Sequence, residues 1–244
     1  MGRATRSTVS VPGVRRGGVD AGVYEWGRGR PVVLAHGWQG RASQWATLVR
    51  DLVYEGYRVV AFDAPAHGES PGRHAYLVDW MDALRALQER YGAFHAIVGH
   101  SFGGLAALLA VTEGVQSDRV VTVAAPAGAD SLMTAFQSAM RFDDATAAAL
   151  RERFASKYFP GQSQPFARLS AVRHPVPATT ELLVVHDRED RRIPYTEAAR
   201  IIQANPAATA LRTTGLGHSR ILASDEFLDA TIGFLDAKVR ISGE

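Results

Sequence analysis

Ser101 lies in the segment Gly99-His100-Ser101-Phe102-Gly103, a G-x-S-x-G pattern. An apolar run before it predicts a strand, and a longer apolar run after it predicts a helix. The two glycines leave room for the serine backbone to adopt a positive φ in a tight strand-to-helix turn. The hydroxyl would then lie at a helix N-terminus, where the helix dipole favours developing negative charge. The sequence therefore predicts a nucleophilic serine, and a plain glycine turn is the alternative.

A serine hydroxyl is a weak nucleophile at neutral pH, so a base and an orienting acid are required. His218 follows the last predicted strand, and Asp187, Glu189 and Asp190 follow the strand before it. The carboxyl ends of parallel strands meet at one edge of a sheet, which is also where Ser101 is expected. The order serine, acid, histidine is typical of this kind of turn. The residues alone leave open which of the three carboxylates is the acid.

The elements that must position these side chains alternate along the chain. Apolar, β-branched runs without alternation predict strands that are covered on both faces, and the segments between them have helical periodicity. The predicted strands are 31–35, 58–62, 95–98, 120–123, 182–185 and a weaker 210–212; the predicted helices are 76–90, 105–111, 196–203 and 225–235. Short alternating pieces within 8–26 suit an antiparallel edge. The pattern predicts an α/β fold with a mostly parallel sheet.

One interval carries no strand pattern. Two helices are predicted there, 129–140 and 143–158, and Asp143 or Asp144 is the expected N-cap of the second. We therefore expect a core formed by 1–125 and 180–244, with a small helical cap over 126–179. Apolar residues of the cap either hold it on the core or line a substrate pocket; they are Met133, Phe136, Met140, Phe142, Phe154, Tyr158 and Phe159.

Composition narrows the classes of function. The chain has 244 residues, 46% of them hydrophobic, and no cysteine, which excludes a cysteine nucleophile and disulfides. Six arginines and two acidic residues lie within 1–30, and the rest of the chain carries a net charge of −2. The basic excess is confined to that segment, so nucleic-acid binding is not expected. Residues 1–10 lack the apolar stretch of a signal peptide, and no apolar run is long enough to span a membrane. We expect a cytoplasmic protein that does not insert into a membrane.

Five motifs in order make the chain resemble the α/β-hydrolase family, in its esterase-like branch. Besides the serine turn, they are His36-Gly37-Trp38, Asp63-Ala64-Pro65-Ala66-His67-Gly68-Glu69-Ser70, the acid loop Asp187 to Pro194, and Gly217-His218. The resemblance covers about 20–240. It implies an α/β-hydrolase fold with helices on both faces of the sheet.

The resemblance also implies a role for each matching position. Ser101 would be the nucleophile, His218 the general base and Asp190 the acid that orients it. Asp187 is the nearest substitute for that acid, and some family members use the position of Asp130.

Further matching positions would support this triad. The backbone N–H groups of Trp38 and Phe102 would form an oxyanion hole. The remaining motif residues would support these loops by packing and hydrogen bonding; they are His36, Gly37, Gly99, His100 and Gly103. His67 is expected to be structural.

The resulting hypothesis is a serine carboxylesterase that acts on a small to medium apolar ester through an acyl-enzyme. The serine disfavours the haloalkane dehalogenase and epoxide hydrolase reactions, which use aspartate at this position. Two alternatives remain: the same triad acting on a thioester, an amide or a carbon–carbon bond, and a ligand-binding receptor or scaffold that retains the triad. No cofactor is expected, and no histidine–carboxylate spacing indicates a metal. The expected partner is a small-molecule ester, and the chain is expected to be a monomer or a homodimer.

Overall fold

A computed structural model describes residues 4–12, 18–162 and 164–237. Within these ranges, eight strands form one sheet in the order β1-β2-β4-β3-β5-β6-β7-β8. They are β1 (Thr5–Val11), β2 (Val19–Trp26), β3 (Pro31–Ala35), β4 (Arg58–Phe62), β5 (Phe94–His100), β6 (Ser117–Val123), β7 (Glu181–Asp187) and β8 (Thr209–Thr213). All six strands predicted from apolar runs are present, and the predicted α/β fold is confirmed.

The sheet is parallel except at one edge. Strands β3 to β8 pair in parallel, whereas β2 pairs antiparallel with both β1 and β4. This edge matches the antiparallel pieces predicted within 8–26, of which 13–17 lie outside the described residues. Parallel pairing brings the carboxyl ends of β3, β5, β7 and β8 to the same side of the sheet.

Helices connect the strands. They are α1 (Ala46–Tyr54), α2 (Leu77–Tyr91), α3 (Phe102–Thr112), α4 (Ala129–Met140), α5 (Asp144–Tyr158), α6 (Pro165–Arg168), α7 (Tyr195–Ala204), α8 (Gly217–Arg220) and α9 (Asp225–Asp236), with 3₁₀ turns at Ala42–Trp45 and Ile221–Ala223. The six predicted helices are present. Helix α1 was not predicted from the sequence, although Leu48, Val49 and Leu52 form its buried face.

The sheet separates two apolar cores. Along β3, for example, Val33 and Ala35 pack into the core beneath α2, α3 and α7, whereas Val32 and Leu34 pack into the core beneath α1 and α9. Because helices cover both faces of the sheet, the side chains on both sides of these strands are apolar, and each strand is a continuous apolar run in the sequence. Helix α3 is buried along almost its whole length, as its nearly uniform apolar sequence predicts.

Helices α4, α5 and α6 fill the connection between β6 and β7. The carboxylate of Asp143 accepts a hydrogen bond of 2.7 Å from the N–H of Thr146, so Asp143 is the N-cap of α5. The division into a core (1–125 and 180–244) and a cap (126–179) stays a prediction. Its ranges include residues outside the described part of the chain, namely 1–3, 13–17, 163 and 238–244.

Candidate active site

Ser101 occupies the junction between β5 and α3. Its backbone has φ +52° and ψ −116°, an arrangement that costs a non-glycine residue about 1–3 kcal/mol. The surrounding structure stabilises this strained backbone, because the N–H of Ser101 donates a 2.8 Å hydrogen bond to the carbonyl oxygen of Val123 at the end of β6. Ser101 is partly exposed.

Glycines allow this turn to pack tightly. A Cβ atom at Gly99 would lie 2.6 Å from the Cα of Gly104. A Cβ atom at Gly103 would collide with the carbonyl oxygens of Ala35 and His36, the second at 2.5 Å. The start of α3 therefore rests against the end of β5 at Gly99 and against the end of β3 at Gly103, and a side chain at either glycine would prevent the respective contact.

The loop after β3 lies against the serine turn. A Cβ atom at Gly37 would lie 2.9 Å from His100 Nδ1 and 3.1 Å from the Cβ of Ser101. The N–H groups of Trp38 and Phe102 flank this contact, one in the loop and one at the first position of α3. Among the described residues, neither N–H donates a hydrogen bond to another protein group. Both N–H groups therefore remain available as hydrogen-bond donors.

Asp190 and His218 are paired. His218 Nδ1 lies 2.7 Å from Asp190 Oδ2, and the Asp190 carboxylate is fully buried. The N–H groups of Arg192 and Ile193 donate to Asp190 Oδ1 at 2.8 and 3.0 Å. Burial alone would raise the pKa of Asp190, but the hydrogen bonds from His218 and the two N–H groups hold it below the usual value. The carboxylate is therefore ionised when it faces the imidazole.

Asp187, the alternative acid, faces other partners. Its Oδ2 accepts hydrogen bonds from the Thr213 hydroxyl at 2.8 Å and from the N–H of Leu216 at 3.0 Å. These bonds connect the end of β7 to the end of β8 and to the loop that carries His218. Asp187 thus holds the loop, whereas Asp190 holds the imidazole.

The other two candidate acids lie apart from this pair. Glu189 is exposed, in the same loop as Asp190. Asp130, on α4, forms an ion pair of 2.7 Å with Arg151 of α5. Of the four carboxylates considered, only Asp190 contacts the imidazole of His218.

His100 connects the serine turn to the segment of His218. Burial lowers the pKa of His100 to about 3, so the ring is neutral. Its Nε2 lies 2.9 Å from the carbonyl oxygen of His218 and donates the hydrogen bond, and the two rings are 4.8 Å apart. In the described part of the chain, the Ser101 hydroxyl itself makes no hydrogen bond to a protein group. His218 is thus held beside the serine turn through His100, and no hydrogen bond joins its imidazole to the Ser101 hydroxyl.

His36 supports the loop after β3. Its Nε2 accepts a 2.9 Å hydrogen bond from the N–H of Ala64, so the proton is on Nδ1, which donates to the carbonyl oxygen of Gly37 at 2.7 Å. Burial lowers the pKa of His36 to about 4. Trp80 Nε1 donates to the carbonyl oxygen of His36 at 2.8 Å. This neutral ring fastens the loop to β4.

The motif after β4 also forms a tight turn. The Asp63 carboxylate accepts hydrogen bonds from the N–H of Ala42 at 2.7 Å and the N–H of Glu69 at 2.8 Å. Ala66 has φ +61° and Gly68 has φ +53°. The alanine therefore takes the left-handed backbone that glycine adopts more easily.

His186 also belongs to the site, although the sequence did not predict it. It is buried at the end of β7, its Nε2 donates to the carbonyl oxygen of Ile193 at 2.9 Å, and the same nitrogen lies 3.6 Å from Asp190 Oδ2. Burial lowers its pKa, so it acts as a neutral support for the acid loop. Its position in the sequence, four residues before Asp190 and directly before Asp187, could have indicated that it contacts the acid loop.

A pocket of about 890 Å³ opens at Ser101. Apolar and aromatic side chains form much of its wall; they are Trp38, Phe102, Leu132, Met133, Phe136, Phe154, Phe159, Phe166 and Leu169. Of the apolar residues for which the sequence left core packing and pocket lining open, Met133, Phe136, Phe154 and Phe159 line this pocket. The Trp38 ring lies edge-on to Phe102 at 5.5 Å and is half exposed. The arrangement can receive an apolar group beside the Ser101 hydroxyl.

In 4–12, 18–162 and 164–237, no group of three or more histidine, aspartate or glutamate side chains is arranged to hold a metal ion. No helix in the same ranges has the length and apolar character required to cross a membrane.

The sheet and the serine turn together define an α/β-hydrolase architecture. A model of the alpha/beta hydrolase family matches residues 32–230. The chain therefore belongs to the alpha/beta hydrolase family.

Known relatives match shorter stretches. The chain is 42% identical over 95 residues to the non-heme chloroperoxidase CPO-A1 of Kitasatospora aureofaciens, covering 36% of this chain and 34% of that protein. It is 37% identical over 92 residues to the bifunctional esterase/perhydrolase DCH of Acinetobacter calcoaceticus, covering 36% and 33%. The matches thus span about a third of the length of these curated relatives.

Solved structures match over nearly the whole chain. Alpha/beta hydrolase domain-containing protein 10 from mouse has a TM-score of 0.73 at 16% identity, covering 95% of this chain and 97% of that one. A bromoperoxidase from Bacillus anthracis has a TM-score of 0.68 at 20% identity, covering 95% and 99%. At these identities the likeness shows the fold.

Proposed function

We propose that the protein is a serine carboxylesterase that cleaves a small to medium apolar ester through an acyl-enzyme. The observation that carries the proposal is the 2.7 Å bond between Asp190 and His218, located beside the strained turn of Ser101. A plain glycine turn would need neither a positive φ at the serine nor a buried acid–imidazole pair.

In the proposed first step, Ser101 Oγ attacks the ester carbonyl carbon while His218 Nε2 takes the hydroxyl proton. Asp190 keeps the other proton on Nδ1 and stabilises the imidazolium. The negative charge on the tetrahedral oxygen is received by the N–H groups of Trp38 and Phe102. Each such donor contributes about 10²–10³ in rate.

The intermediate then collapses, and the alcohol leaves with the proton held by His218. In the second half, water attacks the acyl-enzyme, His218 accepts its proton, and the carboxylic acid is released as Ser101 recovers its hydroxyl. The serine–imidazole hydrogen bond would form on substrate binding, since such bonds are often loose in free enzymes.

The pocket supports an apolar acyl group. Its wall carries several aromatic side chains contributed by α4, α5 and α6, and an alkyl chain gains free energy by leaving water there. We therefore expect kcat/KM for p-nitrophenyl esters to rise from acetate towards octanoate.

The test combines a variant with a covalent probe. Ser101→Ala should lower hydrolysis of p-nitrophenyl esters by at least about 10³-fold, because the nucleophile is removed. Ser138→Ala on α4 is the matched control and should retain activity. A fluorophosphonate should add one adduct to the protein, and peptide mapping should assign it to Ser101.

The alternatives give different results. In one alternative, the probe labels Ser101, but a thioester, an amide or a carbon–carbon substrate is cleaved faster than the matched ester. That result would keep the proposed triad and change the proposed substrate class. A folded protein that forms no adduct and hydrolyses none of these substrates would favour a receptor or scaffold. Wild-type turnover by Ser101→Ala would show that the nucleophile is assigned wrongly.

A further inference from the structure

The pocket at Ser101 has a cationic side. Two loops, one after β3 and one after β4, contribute Arg41 and Arg73, and both side chains are exposed. Among the described residues that line this pocket, none carries a carboxylate. The charge of these guanidinium groups is therefore not balanced within the pocket wall.

The neighbouring acids are already engaged. Asp63 and Glu69 lie on the far side of Arg41, in an adjoining groove that Arg41 also lines. Asp63 accepts hydrogen bonds from backbone N–H groups and from the Tyr24 hydroxyl, and Glu69 pairs with Arg6 at 3.3 Å. In the described part of the chain, neither Arg41 nor Arg73 forms an ion pair.

The two sides of the pocket differ in what they can receive. The side formed by the helices between β6 and β7 presents aromatic rings such as Phe136 and Phe154. An ionised group would lose its hydration against those rings without a partner. The side with Arg41 and Arg73 keeps contact with water and offers two positive charges.

We propose that the substrate is an apolar acyl ester whose alcohol carries an anionic group, a carboxylate or a phosphate, bound by Arg41 and Arg73. This inference rests on the proposed function. The acyl chain lies against the aromatic wall and becomes attached to Ser101. The alcohol leaves with one proton from His218 and keeps its anionic group, and water completes hydrolysis to the free acid.

The test compares esters that share one acyl chain. Octanoate esters of 4-hydroxybenzoate and of 4-hydroxyphenyl phosphate carry the anion on the leaving group, and the octanoate ester of 4-hydroxybenzamide is the neutral match. The measured quantity is kcat/KM for each anionic ester divided by that for the neutral ester. Comparing this ratio between variants removes the intrinsic reactivity of each phenol.

We expect Arg41→Gln and Arg73→Gln each to lower that ratio by about 3- to 10-fold, the size of a partly exposed charge interaction. The double variant should lower it further, and added salt should lower the wild-type ratio. Arg28→Gln makes the same charge change in the loop between β2 and β3 and should leave the ratio unaltered. A fall confined to the carboxylate ester or to the phosphate ester identifies which anion the site accepts.

The inference is overturned if the arginine variants and Arg28→Gln give the same ratio as the wild type for both anionic esters. In that case the neutral octanoate would still be hydrolysed and Ser101 would still be labelled, so the proposed function would stand. Absence of both hydrolysis and labelling in the wild type would instead remove the proposed function, and with it this inference.

Discussion

Asp190 and Asp187 are three residues apart, yet their carboxylates hold different parts of the site. Asp190 contacts the imidazole of His218, and Asp187 contacts Thr213 and the N–H of Leu216. An acid that orients a catalytic base affects the rate of reaction. An acid that joins two loops affects stability first.

We therefore expect Asp190→Asn to lower kcat by about 10³–10⁴-fold, because an amide favours the wrong tautomer of His218. Asp187→Asn should reduce kcat by less than about tenfold and the free energy of unfolding by about 1–3 kcal/mol, since it weakens buried hydrogen bonds. Steady-state kinetics and urea unfolding of both variants measure the two effects. The reverse pattern, with the larger rate loss at Asp187, would contradict the assignment.

At the residue scale, the sequence predicted the site residues that belong to a recognisable motif. Asp190 and His218 could be picked out through the family resemblance, because Asp190 lies after a strand four residues before Pro194 and His218 lies after a strand directly beside Gly217. His186 and Arg41 could not, because their roles depend on contacts made only after folding. His186 reaches Asp190 across the turn of the acid loop, and Arg41 lines the pocket from the loop after β3, three residues beyond the motif that ends at Trp38.

At the element scale, the contact between α3 and β3 depends on Gly103. We expect Gly103→Ala to lower the free energy of unfolding by about 1–3 kcal/mol, because its methyl group would collide with the carbonyl oxygens of Ala35 and His36. The start of α3 would be displaced, so kcat should fall as well. Thermal unfolding and ester hydrolysis measure both changes.

Gly233→Ala on α9 is the matched control for this substitution. A Cβ atom there has no neighbour within 4 Å, and alanine favours a helix interior. This control should raise the free energy of unfolding by about 0.5–1 kcal/mol with kcat unchanged. If Gly103→Ala were equally stabilising, the close approach of α3 to β3 would not restrict that position.

The elements themselves differed in how far they could be predicted. The buried strands were found because strands covered on both faces are apolar throughout, and α2 because its apolar residues recur on one face. Helices α6 and α8 have four residues each, too few for a periodic pattern. The order of the strands in the sheet follows from pairing, which no single run of residues encodes.

At the scale of the whole molecule, buried neutral imidazoles couple stability to pH, and His36 and His100 are two of them. The pKa of His36 is about 4 and that of His100 about 3, in both cases lowered by burial. In the unfolded chain a histidine has a pKa of about 6.5. Below that pH the unfolded state binds more protons than the folded state, so the stability present above about pH 6.5 is lost as the pH falls.

Between about pH 7 and pH 5, each of the two histidines should therefore contribute about 2 kcal/mol to the loss of unfolding free energy. Urea unfolding at these two pH values measures the loss. His36→Gln and His100→Gln should each shrink it by about that amount, whatever their stability at neutral pH, because one titrating group is removed. His174→Gln removes an exposed imidazole and should leave the loss unchanged. If His36→Gln and His100→Gln lose as much unfolding free energy between the two pH values as the wild type, these rings accept protons in the folded state. The loops at the serine turn would then be held by charged rather than neutral imidazoles.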